Sequence, residues 1–274
     1  MLNVLKKDLY ILYHKKIFMA TLIILTLLIS YICLHDINNA YKCGKSYQHF
    51  FTIVFDPAKQ SILTAFFYII PLLVVLPFSD TWINEVKMTD IIFTRIQRYK
   101  FFISKYIISF LSGFLILFIP LMIAYIAEIV TLDFNDNVLN ILAYSIPEHS
   151  IASMARNYAF YELYVQHPYV YIIMFNLIIS MFGGLYAISA FSISLLVNNK
   201  VIPYIAVFFF SVISLLLISF LPTPFGYYSI QRISQPFTNF DIPMIIYIVW
   251  FLFFIICNGI IYLIYLRRDP FGEE

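Results

Sequence analysis

Three groups of residues have the types that do chemistry. Gly44-Lys45-Ser46 ends like a phosphate-binding loop, whose backbone amides and lysine hold a nucleotide's phosphates. That loop needs a glycine five positions before Gly44, and Asn39 stands there. Glu148, His149, Glu162 and His167 are metal-ligand types, but their irregular spacing reads as ordinary loop residues. No His-Glu-x-x-His or Gly-x-Ser-x-Gly pattern occurs. Cys33, Cys43 and Cys257 lack metal-ligand spacing; Cys33 and Cys43 either pair outside the membrane or stay as thiols. The chain is therefore expected to be no enzyme, with no catalytic residue, cofactor or metal of its own.

The third group is charged and patterned. Residues 79–105, SDTWINEVKMTDIIFTRIQRYKFFISK, hold Lys87, Arg95, Arg98, Lys100 and Lys105, five of the chain's seventeen basic residues. Met88, Ile91, Ile92 and Ile96 recur at helical spacing, so one face is apolar and the other carries charge. The work such a helix can do is mechanical. Its apolar face can fill a groove on a soluble partner and pass that partner's movement to the segments on either side. The plainer reading is a helix lying on the membrane surface, since basic amphipathic helices also bind lipid.

The elements that must position this stretch are membrane spans. The chain has 274 residues, 62% hydrophobic and only 12% charged, too few charges to cover a soluble domain. Apolar runs of crossing length predict one all-α membrane domain over 1–274, with six transmembrane helices at about 17–34, 61–78, 106–127, 170–197, 201–221 and 244–266. Residues 1–16 predict an interfacial amphipathic helix ahead of the first span. Leu2, Leu5, Leu9 and Leu12 share one helical face, and Lys6, Lys7, Lys15 and Lys16 are available to lipid phosphates; the plainer reading is a basic flank that only sets topology. No cleavable signal peptide is expected. Residues 128–168 are acidic and aromatic, with a short helix expected near 151–165. Residues 222–243 hold four prolines and are too short to cross; a shallow re-entrant excursion needs protein to cover its backbone. With the N-terminus inside, the inner segments carry twelve Lys and Arg and the outer ones five. That bias predicts cytoplasmic N and C termini, a cytoplasmic stretch at 79–105, and a multi-pass protein of the cell membrane.

Polar residues inside the spans are few. Asn176, Ser180 and Asn258 read either as interhelical hydrogen bonding at packed seams or as the lining of an amphipathic substrate path. Gly183-Gly184 reads as a place where a neighbouring helix comes close. No Asp, Lys or Arg lies near a span centre, which argues against an ion-coupled carrier.

This arrangement resembles type-2 ATP-binding-cassette exporter permeases over the whole chain. Lys6-Lys7-Asp8-Leu9 precedes the first span, the fourth-to-fifth turn is short, and prolines precede the sixth span. In that family an acidic residue after the second span leads a short coupling helix, a basic residue follows near its end, and a lysine opens the third span. Glu85, Arg95 and Lys105 stand at those places. Lys87-Met88-Thr89 stands where a glycine is usual, and Thr94 where a proline is usual.

The resemblance implies a permease that exports an amphipathic cargo such as a peptide, lipid or drug-like molecule. ATP and Mg would be bound by separate cytoplasmic ATPase subunits, and a second permease, identical or related, would complete the transporter. Glu85, Lys87, Met88, Ile91, Ile92, Arg95, Ile96, Arg98 and Lys105 would form the ATPase-coupling surface. Membrane lipid is the other expected partner, and nucleic acid is not. Two alternatives fit the same residues: a membrane-embedded sensor or assembly protein that recruits a cytoplasmic partner without transport, and a stand-alone channel or carrier.

Overall fold

The computed structural model describes residues 2–42, 69–77, 81–85, 93–94, 97–131, 160, 163, 166–197, 199–222, 225, 228–233 and 242–268. Every regular element among them is helical: α1 Leu2–His14, α2 Lys16–Lys42, α3 Thr81–Glu85, α4 Arg98–Thr131, α5 Pro168–Leu196, α6 Val201–Ser219, α7 Ile230–Ile233 and α8 Met244–Arg268. Five of these are long and apolar enough to cross a bilayer: α2, α4, α5, α6 and α8. The chain is a membrane-embedded helical protein.

The later boundaries follow the sequence closely. Pro168 occupies the first turn of α5, where its missing amide costs nothing. Val197 ends α5 in an extended conformation. Asn199 Oδ1 then accepts the Val201 amide at 2.8 Å, satisfying one of the open donors at the start of α6. Two earlier boundaries differ from expectation. α2 runs eight residues past Leu34, to Lys42, because no glycine or proline interrupts it before Gly44. α4 starts at Arg98 instead of Tyr106; the charged residues there are carried on a continuous helix. Of the expected second span, 69–77 falls within the described residues, and there Val74 and Val75 are fully buried in the core. The short helix expected near 151–165 lies outside the described residues except at Phe160 and Leu163, which pack against the core.

α4 and α5 form the central seam. Tyr106 meets Ser192, Ser109 Oγ donates to Ala187 O at 2.9 Å, and Asn176 Nδ2 lies 3.8 Å from Met122 Sδ. Residue numbers rise on one helix as they fall on the other, so the two helices are antiparallel. At the crossing, Gly113 and Gly183 let the backbones touch: a Cβ on Gly183 would lie 2.6 Å from Leu117 Cδ1 and 3.0 Å from Gly113 O. Gly184 makes the same room for Phe110. The close approach expected of Gly183-Gly184 is thus made by α4.

α8 packs on the other side of α5 with numbers rising together. Phe182 stacks on Phe251, Tyr186 meets Phe254, and Asn258 bonds to Ser189. The two are parallel. α2 runs along α4, with Cys33 Sγ buried 4.0 Å from Ala124 O; Cys43 lies outside the described residues. Within the proline-rich 222–243 segment, Ser229, Ile230 and Ile233 are fully buried, and the Trp250 indole donates to Tyr228 O at 2.8 Å. Protein therefore packs around residues 229, 230 and 233.

The leucine face of α1 turns to protein, with Leu12 fully buried and Leu5 and Leu9 packed on the core. The reason is Asp8, which lies among those leucines and finds its partner on α4.

Candidate functional site

Lys105 stands two turns into α4. Its Nζ lies 3.0 Å from Asp8 Oδ1 on α1 and 2.8 Å from Glu85 Oε1 at the end of α3. Ser104 Oγ donates to the other Asp8 oxygen at 3.0 Å. The Lys105 and Asp8 side chains are only 2% and 3% exposed, and that of Glu85 is 22% exposed. Three segments far apart in sequence thus meet at one buried ammonium. Ions taken out of water need close geometry and further hydrogen bonds to be tolerated, and Asp8 has both: one oxygen faces the lysine and one faces the serine. Glu85 is less fully served. Its Oε2 is buried with no hydrogen-bond partner among the described residues. The face of the Phe101 ring lies 5.1 Å from Nζ and adds a cation–π contact.

An aromatic cluster stands beside the ions. Trp82, on α3, lies 5.4 Å from Phe102 of α4 and 5.6 Å from Tyr265 of α8. Phe102 also meets Tyr262 at 5.5 Å, and Tyr106 meets Phe191 of α5 at 5.1 Å. The ions tie α3 to α1 and α4, and the rings tie it to α4, α5 and α8. A close-packed interior transmits strain, so a displacement of this five-residue helix reaches all four neighbours. The site can receive and spread force. Among the described residues no group of three or more His, Cys, Asp or Glu could hold a metal.

Of the residues expected to couple, the structure brings Glu85 and Lys105 together. Arg98 lies two turns before Lys105, with its guanidinium 5.2 Å from the Phe93 ring centre. Lys87, Met88, Ile91, Ile92, Arg95 and Ile96 lie outside the described residues. So do Glu148, His149 and Glu162; His167 is exposed at the head of α5.

The three candidate path residues do not converge on one site. Asn176 and Ser180 are buried in the α4–α5 seam, where Ser180 Oγ donates to Asn176 O at 2.6 Å. Asn258 bonds to Ser189 at 3.1 Å and to Phe254 O at 2.8 Å. Ser189 is nine residues beyond Ser180, about 14 Å along the helix. Each amide nitrogen donates inside a seam, which favours the packing role.

Asp8 and Trp82 were not among the sequence candidates. For Asp8 a signal existed: it is the one acid in a lysine-rich helix, and it shares the arc of Leu5, Leu9 and Leu12. A carboxylate on a buried face implies a buried cation.

No family model, curated protein or solved structure matches the chain.

Proposed function

We propose that the chain is the membrane-spanning permease subunit of a transporter driven by a separate cytoplasmic ATPase, in the manner of type-2 ABC exporters. The observation that carries this reading is the Asp8–Lys105–Glu85 contact. A bundle with no energy source of its own needs a stiff receiver where an external motor can push. Here the helix that opens the 79–105 connection is tied by buried ions and packed rings to the rest of the bundle.

Helix directions support six spans. α2 and α4 run the same way, so the chain must return along the bundle between them. Residues 61–78 supply that return, and the burial of Val74 and Val75 agrees with it. Positive charge supports the orientation. Lys6, Lys7 and Lys16 at the N-terminal helix, Arg98, Lys100 and Lys105 on α4, Lys200 after α5 and Arg267 on α8 gather at the ion-pair end. Basic ends stay in the cytoplasm. There the apolar face of Met88, Ile91, Ile92 and Ile96 enters a groove on the ATPase, and Lys87, Arg95 and Arg98 set register at the rim. ATP and Mg belong to that partner, two permeases share one cargo route, and the cargo is amphipathic.

The test is purification of the full chain from its native membrane. An ATPase should accompany it in fixed ratio. Charge reversal at Lys87 and Arg95 should cut hydrolysis at least about tenfold, since like charges facing across an interface cost several kcal/mol. A stable complex containing no ATPase would support a sensor or assembly protein instead.

A further inference from the structure

We infer that the outward face of α1 is a binding surface for anionic phospholipid headgroups, and that lipid charge there holds the buried ion contact closed. At about 100° per residue, the faces of this helix separate cleanly. Leu5, Asp8, Leu9 and Leu12 fall on one side; Lys6, Lys7, Tyr10, Tyr13 and His14 fall on the other. The first side is spent on protein. Leu12 is fully buried, and Asp8 closes on Lys105. The second side is open: Tyr10 is 65% exposed, Tyr13 is 54% exposed, and Lys6, Lys7, His14 and the neighbouring Lys16 are exposed as well.

The position of α1 selects the occupant. Lys15 alone separates α1 from the span that begins at Lys16, so the open face stands at headgroup level. Tyrosines and lysines are the residues that suit that level, and anionic lipid attracts the lysines. The leucine side cannot serve instead. Laying it into the acyl chains would pull Asp8 from Lys105 and carry a carboxylate into hydrocarbon. Lipid must therefore read the lysine side of the docked helix. A ligand that binds only the docked state raises its population. This inference needs no transport, so it stands or falls apart from the permease reading.

The full chain is placed in nanodiscs of phosphatidylcholine, or of equal parts phosphatidylcholine and phosphatidylglycerol, and its thermal unfolding and retained lipid are measured. Phosphatidylglycerol should raise the midpoint of the wild type and be retained. Apparent affinity should fall about fivefold per lysine removed, so K6Q/K7Q/K16Q should lose most of both effects. In phosphatidylcholine the variant should melt like the wild type, because these side chains make no buried contact. The wild-type shift should also vanish in 1 M salt, where the Debye length is about 3 Å; this arm needs no variant. The inference is overturned if phosphatidylglycerol leaves the wild type unchanged, or if the shift survives salt or the triple substitution. It is equally overturned if the substitution releases a cytoplasmic protein while leaving the lipid shift intact.

Discussion

Lys105→Met should cost about 3–5 kcal/mol of stability, because it leaves the buried Asp8 and the half-buried Glu85 carboxylates with no counter-ion between them. Folded proteins hold only about 5–15 kcal/mol in reserve, so much of the variant should fail to fold. The size of the loss comes from the charges left behind more than from the contact removed. A well-packed neutral replacement of a buried ion group is often nearly neutral. D8N/E85Q/K105M should therefore recover most of the loss, and each single carboxylate change should fall between. Thermal unfolding of the wild type and these four variants in one lipid checks this. A K105M variant as stable as the wild type would mean that these ions do not hold α1 and α3 to the bundle.

The second large effect is expected at the α4–α5 crossing. Gly113→Val places a branched side chain where a Cβ alone already collides with the Gly183 backbone carbonyl and lies 2.8 Å from Ala187 Cβ. Rotamer changes cannot relieve a clash with backbone, so the helices must separate. Overpacking typically costs about 1–3 kcal/mol, and a backbone clash belongs at or above the top of that range. Gly259 supplies the control. Nothing lies within 4 Å of a Cβ there, so Gly259→Ala should be neutral or gain up to about 1 kcal/mol from helix propensity. Equal unfolding midpoints for the Gly113 and Gly259 variants would contradict the crossing described above.

Much of the architecture was legible in sequence because it rests on local rules. Apolar length and bounding turn residues marked α5, α6 and α8 within two residues at each end. The start of α4 was not legible, since charge was read as the edge of a span. A helix can carry Arg98 and Lys100 on its surface and Lys105 toward a buried partner, and no periodicity reveals which. The ion contact depends on residues 97 positions apart, and hydropathy carries no information at that range. Glu85 and Lys105 were both singled out, but Asp8, the lysine's other partner, stood only as a member of a basic segment. For the same reason Gly183 read as a close-packing site while the identity of its neighbour, Gly113, did not.

Coupling to a soluble ATPase requires the 79–105 connection to lie in the cytoplasm. A soluble motor can push α3 only from the cytoplasm. Arg95→Cys, in a chain whose native cysteines are replaced by serine, places one thiol in that connection. In intact cells a charged, membrane-impermeant maleimide should leave it unmodified, and permeabilised cells should be labelled fully. Full labelling in intact cells would put the connection outside, beyond the reach of any ATP-driven partner.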